Sequence, residues 1–221
     1  VMDAAAQSVE IFLPVYEKRI SSIWYKMVSR VVKVDQRRFL LKGLGKIDDP
    51  RVHSIIYDLA RKAPTRTRDE DLQREEAMTR ADAVKILGTI RNNQSLDHLI
   101  YILNNDSSMV VRNDAAESLG NQGFEQAVPY LLKALEINNT WFRSTIYRAL
   151  GNIGDTSTIP ILIDGLTESG TKSAAWDALK QIGGNAVFQG LFTILRLENE
   201  DDEIDYAIFD IIKEITPTLT P

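Results

Sequence analysis

The 221-residue sequence contains no cysteine. That absence excludes disulfides, thiolate metal sites and cysteine nucleophiles together. Histidine is nearly missing too: His53 and His98 are the two, and they form no H-x-x-x-H pair. There is no G-x-S-x-G turn and no phosphate-binding loop. No run of 18 apolar residues exists, so no membrane span is expected, and no charged-then-apolar leader opens the chain. A basic excess is lacking as well, with 26 Lys and Arg against 31 Asp and Glu. Phosphate-backbone binding needs a concentrated basic face, so nucleic acid is disfavoured as a partner. The acidic run 198–205 lacks the glycine and the alternating oxygen ligands of a calcium loop. No metal, cofactor or catalytic residue is therefore assigned, and the cytoplasm is the expected compartment. Because the chain begins at Val1, it also reads as a sensor or interaction region of a longer protein.

What is present is a repeat. Leu44-Gly45, Leu87-Gly88, Leu119-Gly120 and Leu150-Gly151 recur, and Leu179-Lys180 and Ile212-Lys213 continue the series without the glycine. From Leu87 onward the interval stays near 31 residues, which means stacked helical hairpins. In the first helix of each hairpin the position seven before the leucine is basic in Arg37, Arg80, Arg112, Arg143 and Lys172. These cations are expected to pair with a carboxylate or carbonyl of the adjacent repeat. The position four before it is small or aliphatic: Leu40, Ala83, Ala115, Ile146, Ala175 and Ile208. It shares a face with the leucine, so both pack inward. The glycine after the leucine is expected to be a left-handed cap that turns the chain into the second helix.

Second helices end on Leu59, Leu103, Leu135, Leu166 and Leu195, and the residues three, four and seven earlier are apolar in every copy. Pro129 and Pro160 fall in first turns, where a missing N–H is harmless. Ahead of the repeats, 1–36 reads as an N-terminal helical cap whose stripe Tyr16, Ile20, Trp24, Met27 and Val31 covers the open end of the stack. The solenoid takes 37–221, with a charged insertion at 61–76 read as an exposed loop running into a solvated helix extension. The predicted fold is an all-α right-handed solenoid of five to six hairpins.

Arg112-x-x-Ala-Ala-Glu-x-Leu-Gly, Arg143-x-x-x-x-Arg-Ala-Leu-Gly-Asn-Ile-Gly154 and Ile159-Pro-Ile-Leu-Ile163 resemble HEAT-like repeats of the type found in phycobilisome lyases. The resemblance covers roughly 37–213. It implies either a protein-binding scaffold or a bilin lyase-like, chromophore-handling protein, and in the second case an open-chain tetrapyrrole and a phycobiliprotein subunit as ligands. No residue matches a lyase's functional position.

Function is sought where the copies differ. Second helices are expected to line the inner, concave side of the stack, so the positions two and five before their final leucines share a surface. Tyr57, His98, Tyr101, Tyr130, Lys133, Ile161 and Asp164 then form an aromatic patch flanked by charge, suited to gripping another protein or a peptide segment. His98 is the histidine worth testing as an acid or base. A second column, three before each first-helix leucine, becomes aromatic at Tyr147 and Trp176. It reads as packing between repeats, or as walls for a planar ligand. Trp141, in the loop ahead of Arg143, either lids the core or stands out as a contact.

Overall fold

The computed structural model describes residues 41, 43, 45–64, 67–168, 170–195, 209, 212 and 213. The N-terminal cap, Arg37 and the acidic run lie outside the described residues.

Local signals start the helices where the sequence places them. Helix α1 (Pro50–Ala60) begins on proline behind Asp49, whose carboxylate accepts from the Arg51 N–H at 2.8 Å. Helix α2 (Glu70–Leu87) is capped by Asp69, which accepts from the Asp71 and Leu72 amides at 3.1 Å. Its first turns belong to the charged insertion and are mostly solvent-facing. Asn92 caps α3 (Asn93–Asn105), and Asn139 caps α6 (Thr140–Ile153). Each satisfies an amide that the first turn leaves orphaned. Helix α4 (Met109–Gln122) precedes the short α5 (Val128–Ala134), and α6 precedes the short α7 (Ile159–Asp164); Pro129 and Pro160 sit in the first turns of α5 and α7. The described chain closes with α8 (Lys172–Ile182) and α9 (Gly184–Leu195). Among the described residues there is no strand, and no helix is long and apolar enough to cross a membrane. The architecture is an all-α solenoid in which even-numbered helices are first helices and odd-numbered ones are second helices.

One continuous core runs between the two layers. Ala83, Ala115, Ile146 and Ala175 are fully buried, as are Leu87, Leu119, Leu150 and Leu179. Second-helix positions are buried through α7 except Ile100 and Leu132, which are half-buried; Phe192 of α9 lies 47% exposed and stacks on Phe188 at 6.0 Å. The repeat that follows it in sequence is described only at Phe209, Ile212 and Lys213.

The glycines after the leucines are not left-handed caps. Gly88 has φ −59°, and Gly120 and Gly151 lie inside α4 and α6. The left-handed turns come three residues later, at Gly123 (φ 69°) and Gly154 (φ 80°), which end those helices. What the column serves is close approach. A Cβ on Gly120 would stand 2.5 Å from Ala149 Cα, one on Gly151 2.6 Å from Ala178 Cα, and one on Gly88 2.6 Å from Ser118 Oγ.

These three contacts all join one first helix to the next, whereas second helices touch each other more sparsely. A stack held tighter in one layer bends toward that layer. The first helices therefore form the inner side, which reverses the expectation drawn from the sequence. The shortness of α5 and α7, 7 and 6 residues, leaves little length for contact on the other side.

Arg80, Arg112 and Arg143 of the basic column are held within the chain, but their partners follow another rule. Arg80 forms a bidentate pair with Asp106 at 2.8 and 3.1 Å, and Arg143 pairs with Glu168 at 2.8 Å. Both acids follow the second helix of the same hairpin, not the adjacent one. Arg112 does reach the preceding hairpin, donating from Nε to the Leu103 carbonyl at 2.7 Å. A further clamp between repeats escaped the motif reading. Gln122, 2% exposed, donates from Nε2 to the Leu87 and Ile90 carbonyls at 3.0 and 2.9 Å and contacts Ser95 Oγ at 2.9 Å.

Candidate functional site: the face of the first helices

The second-helix residues do not form one surface. Tyr57 is buried at 4% exposure, stacks on His98 at 4.3 Å and donates its hydroxyl to Asn92 Oδ1 at 3.3 Å. It supports His98 and is not a contact for a partner. The neighbouring Tyr101 is 45% exposed, but the Arg61 guanidinium lies 3.9 Å above its ring. Burial pushes the His98 imidazole below its ordinary value; Arg61 pushes the same way, against the weaker pull of Asp58 and Asp97. Tyr130, Lys133 and Asp164 are exposed, and Ile161 packs half-buried against the core.

The aromatic column is filled by packing. Tyr147 is 1% exposed, with its ring closed over by Gly165, and Trp176 packs against the core. Neither lines the groove described below. Trp141 lies in the first turn of α6, not in a loop, and stands out at 50% exposure.

Trp141 has company at the same register. Nine residues before the first-helix leucine lie Met78, Val110 and Trp141, exposed by 39, 50 and 50%. An apolar stripe repeated on successive helices and left in water is a feature of contact surfaces. Beside it runs a groove of ≈450 Å³ across α4, α6 and α8, with Trp141 at its edge. Its lining also follows the repeat. Two before the leucine stand Glu117, Arg148 and Asp177; two after it stand Asn121, Asn152 and Gln181. Asn152 Nδ2 donates to Asn121 Oδ1 at 3.2 Å, so the amide row continues from one repeat to the next. Arg148 donates to Thr145 Oγ1 at 3.3 Å.

At the α4 end, Asn113 and Asp114 are each 6% exposed. Asn113 Oδ1 has no hydrogen-bond partner among the described residues, and Asp114 Oδ2 has none either, facing the Lys85 ammonium 3.4 Å away. Buried acceptors left without donors are costly. Burial raises the Asp114 carboxyl above its usual range, and Lys85 opposes the shift without cancelling it. A carboxyl raised in the fold costs stability when ionised, and the cost is released as pH falls through the raised value. Asp114→Asn is accordingly expected to raise the melting temperature at pH 7. Calorimetry at descending pH should show the advantage shrinking toward about pH 4; an undiminished gain there would remove the titration from the explanation.

Sequence reasoning missed this face because it assigned the inner side to the wrong helices. The signal was available: in the first-helix columns nine and two before, and two after, the leucine, residue type changes from copy to copy while the scaffold columns stay constant.

The family model for HEAT repeats matches residues 96–171. Those residues are HEAT repeats. The chain is similar in fold to the complex of CpcE and CpcF of phycocyanin lyase from Nostoc sp. PCC7120, with TM-score 0.51 and 21% identity over 75% of this chain. The chain spans 65% of that lyase chain's length. An engineered protein gives TM-score 0.46 at 16% identity, covering 85% of this chain and 93% of its own. Human deoxyhypusine hydroxylase in complex with glycerol gives 0.43 at 16%, covering 84% and 81%. At 21% identity the likeness to the lyase complex is one of fold. Among curated proteins none matches the sequence.

Proposed function

We propose that this chain is a protein-binding scaffold that holds a segment of another protein along the face of its first helices. The observation that supports the reading is the exposed stripe Met78, Val110 and Trp141 at one repeat register beside the groove. Exposed apolar groups gain when a partner removes them from water, and aromatic anchors dominate such contacts. Affinity capture from the source organism tests it. Val110→Asp with Trp141→Ala is expected to lose the captured partner, while Tyr101→Ala with Tyr130→Ala retains it. Loss through the tyrosine pair alone would transfer the function to the second-helix face, where Tyr101 and Tyr130 are 45 and 42% exposed.

Bilin handling is the second reading, supported by the fold likeness to the phycocyanin lyase complex. Mixing the purified chain with a bilin tests it: an unshifted visible spectrum, with no transfer to a phycobiliprotein, removes it.

A further inference from the structure

The column two before the first-helix leucine alternates in sign: Lys85, Glu117, Arg148, Asp177. Opposite charges on adjacent helices ordinarily neutralise one another sideways. Lys85 is neutralised by Asp114 of the next helix at 3.4 Å, but among the described residues Glu117, Arg148 and Asp177 form no ion pair with each other. Helix packing holds neighbouring helices about 8–10 Å apart, and side chains standing on that interval are presented outward singly. Beside them, Asn121, Asn152 and Gln181 repeat at the same interval.

One backbone conformation has this period. A polyproline II chain rises about 3.1 Å per residue with three residues per turn, so every third side chain returns to one face after about 9.3 Å. Its own N–H and C=O groups are unpaired, and a row of side-chain amides supplies both donors and acceptors to such a backbone. The buried acceptor Asn113 Oδ1 lies next to Glu117 and lacks a donor, which a cationic side chain brings. Trp141 at the edge of the groove offers an indole face to the same cation.

Resting on the scaffold reading above, we infer that the segment held by the first-helix face is an extended, polyproline II peptide bearing charges at every third residue, basic opposite Glu117 and Asp177 and acidic opposite Arg148. Two probes of palindromic charge pattern make the test independent of peptide direction: KPPEPPK, which matches the column, and EPPKPPE, which reverses it. KKPPPPE, with the composition of the first, breaks the spacing. Fluorescence anisotropy of the labelled peptides with the full chain at low salt is expected to show KPPEPPK tightest, by roughly tenfold over the other two. The triple substitution Glu117→Lys, Arg148→Glu and Asp177→Lys is expected to invert the preference in favour of EPPKPPE. All three residues are exposed, and circular-dichroism melts verify that the variant is folded; the single Arg148→Glu should by itself favour KPPKPPK over KPPEPPK. Equal affinity for matched and reversed peptides, no binding of any, or a preference untouched by these substitutions overturns the charge register. The scaffold reading fails separately, if Val110→Asp with Trp141→Ala leaves the captured partner in place.

Discussion

Two helical glycines are expected to respond with opposite sign to the gain of a side chain. Among the described residues nothing lies within 4 Å of a Cβ added at Gly43, so Gly43→Ala should stabilise the chain by up to about 1 kcal/mol, the ordinary helix-propensity gain. At Gly120 the same Cβ would stand 2.5 Å from Ala149 Cα, 2.8 Å from its Cβ and 3.1 Å from its carbonyl oxygen. Two of these are backbone atoms of the neighbouring helix, which no rotamer change can move aside. Gly120→Val should therefore force α4 and α6 apart and cost about 3 kcal/mol or more, the upper range of overpacking. Urea denaturation of both variants against the parent chain measures this. Equal effects at the two sites would show that close approach is not what the glycine column serves.

The second large effect is expected at Arg80 and Asp106. Both side chains are nearly removed from water, at 4 and 8% exposure, and they meet through two short hydrogen bonds. Asp106→Ala leaves a guanidinium without its partner in a desolvated place, and the loss should reach about 3–5 kcal/mol. Much of it belongs to the stranded charge and not to the pair. Adding Arg80→Met to Asp106→Ala should therefore recover a large part, since a buried ion pair and an apolar replacement of similar volume are often close in stability. If the double variant is no more stable than Asp106→Ala alone, the stranded-charge account fails.

The fold was legible because its signals are local and repeated. The leucine interval, the apolar face of each second helix and the prolines at Pro129 and Pro160 each determine an element without reference to distant residues. The curvature was not legible in the same way. It depends on how closely neighbouring helices approach, and a glycine inside a helix looks in sequence like a glycine that ends one. Gly120 and Gly123 stand three residues apart; one meets Ala149, the other turns the chain with φ 69°. Once the layers were exchanged, the candidate site moved with them, from Tyr57, Tyr101 and Tyr130 to Trp141 and its register mates. Tyr57 shows the same limit from another side: two positions before the final leucine it should face water, yet stacking on His98 and a bond to Asn92 draw it in. The Gln122 clamp was unreadable for a further reason, since its acceptors are carbonyls, which every residue possesses.

The contact between first helices has a direction. Each of α4 and α6 offers its glycine toward the C-terminal neighbour, and α6 and α8 receive with alanine on the side facing the N-terminus: Gly120 against Ala149, Gly151 against Ala178. A donor side and a receiver side on one unit make a head-to-tail joint, in which every unit can accept another of the same kind. Whole hairpins of about 31 residues can then be duplicated or lost with the joint re-formed at the seam. Such a change would lengthen or shorten the inner face one charge and one amide at a time. Reach along a partner is thus set by unit number, independently of the residues that hold any one unit together.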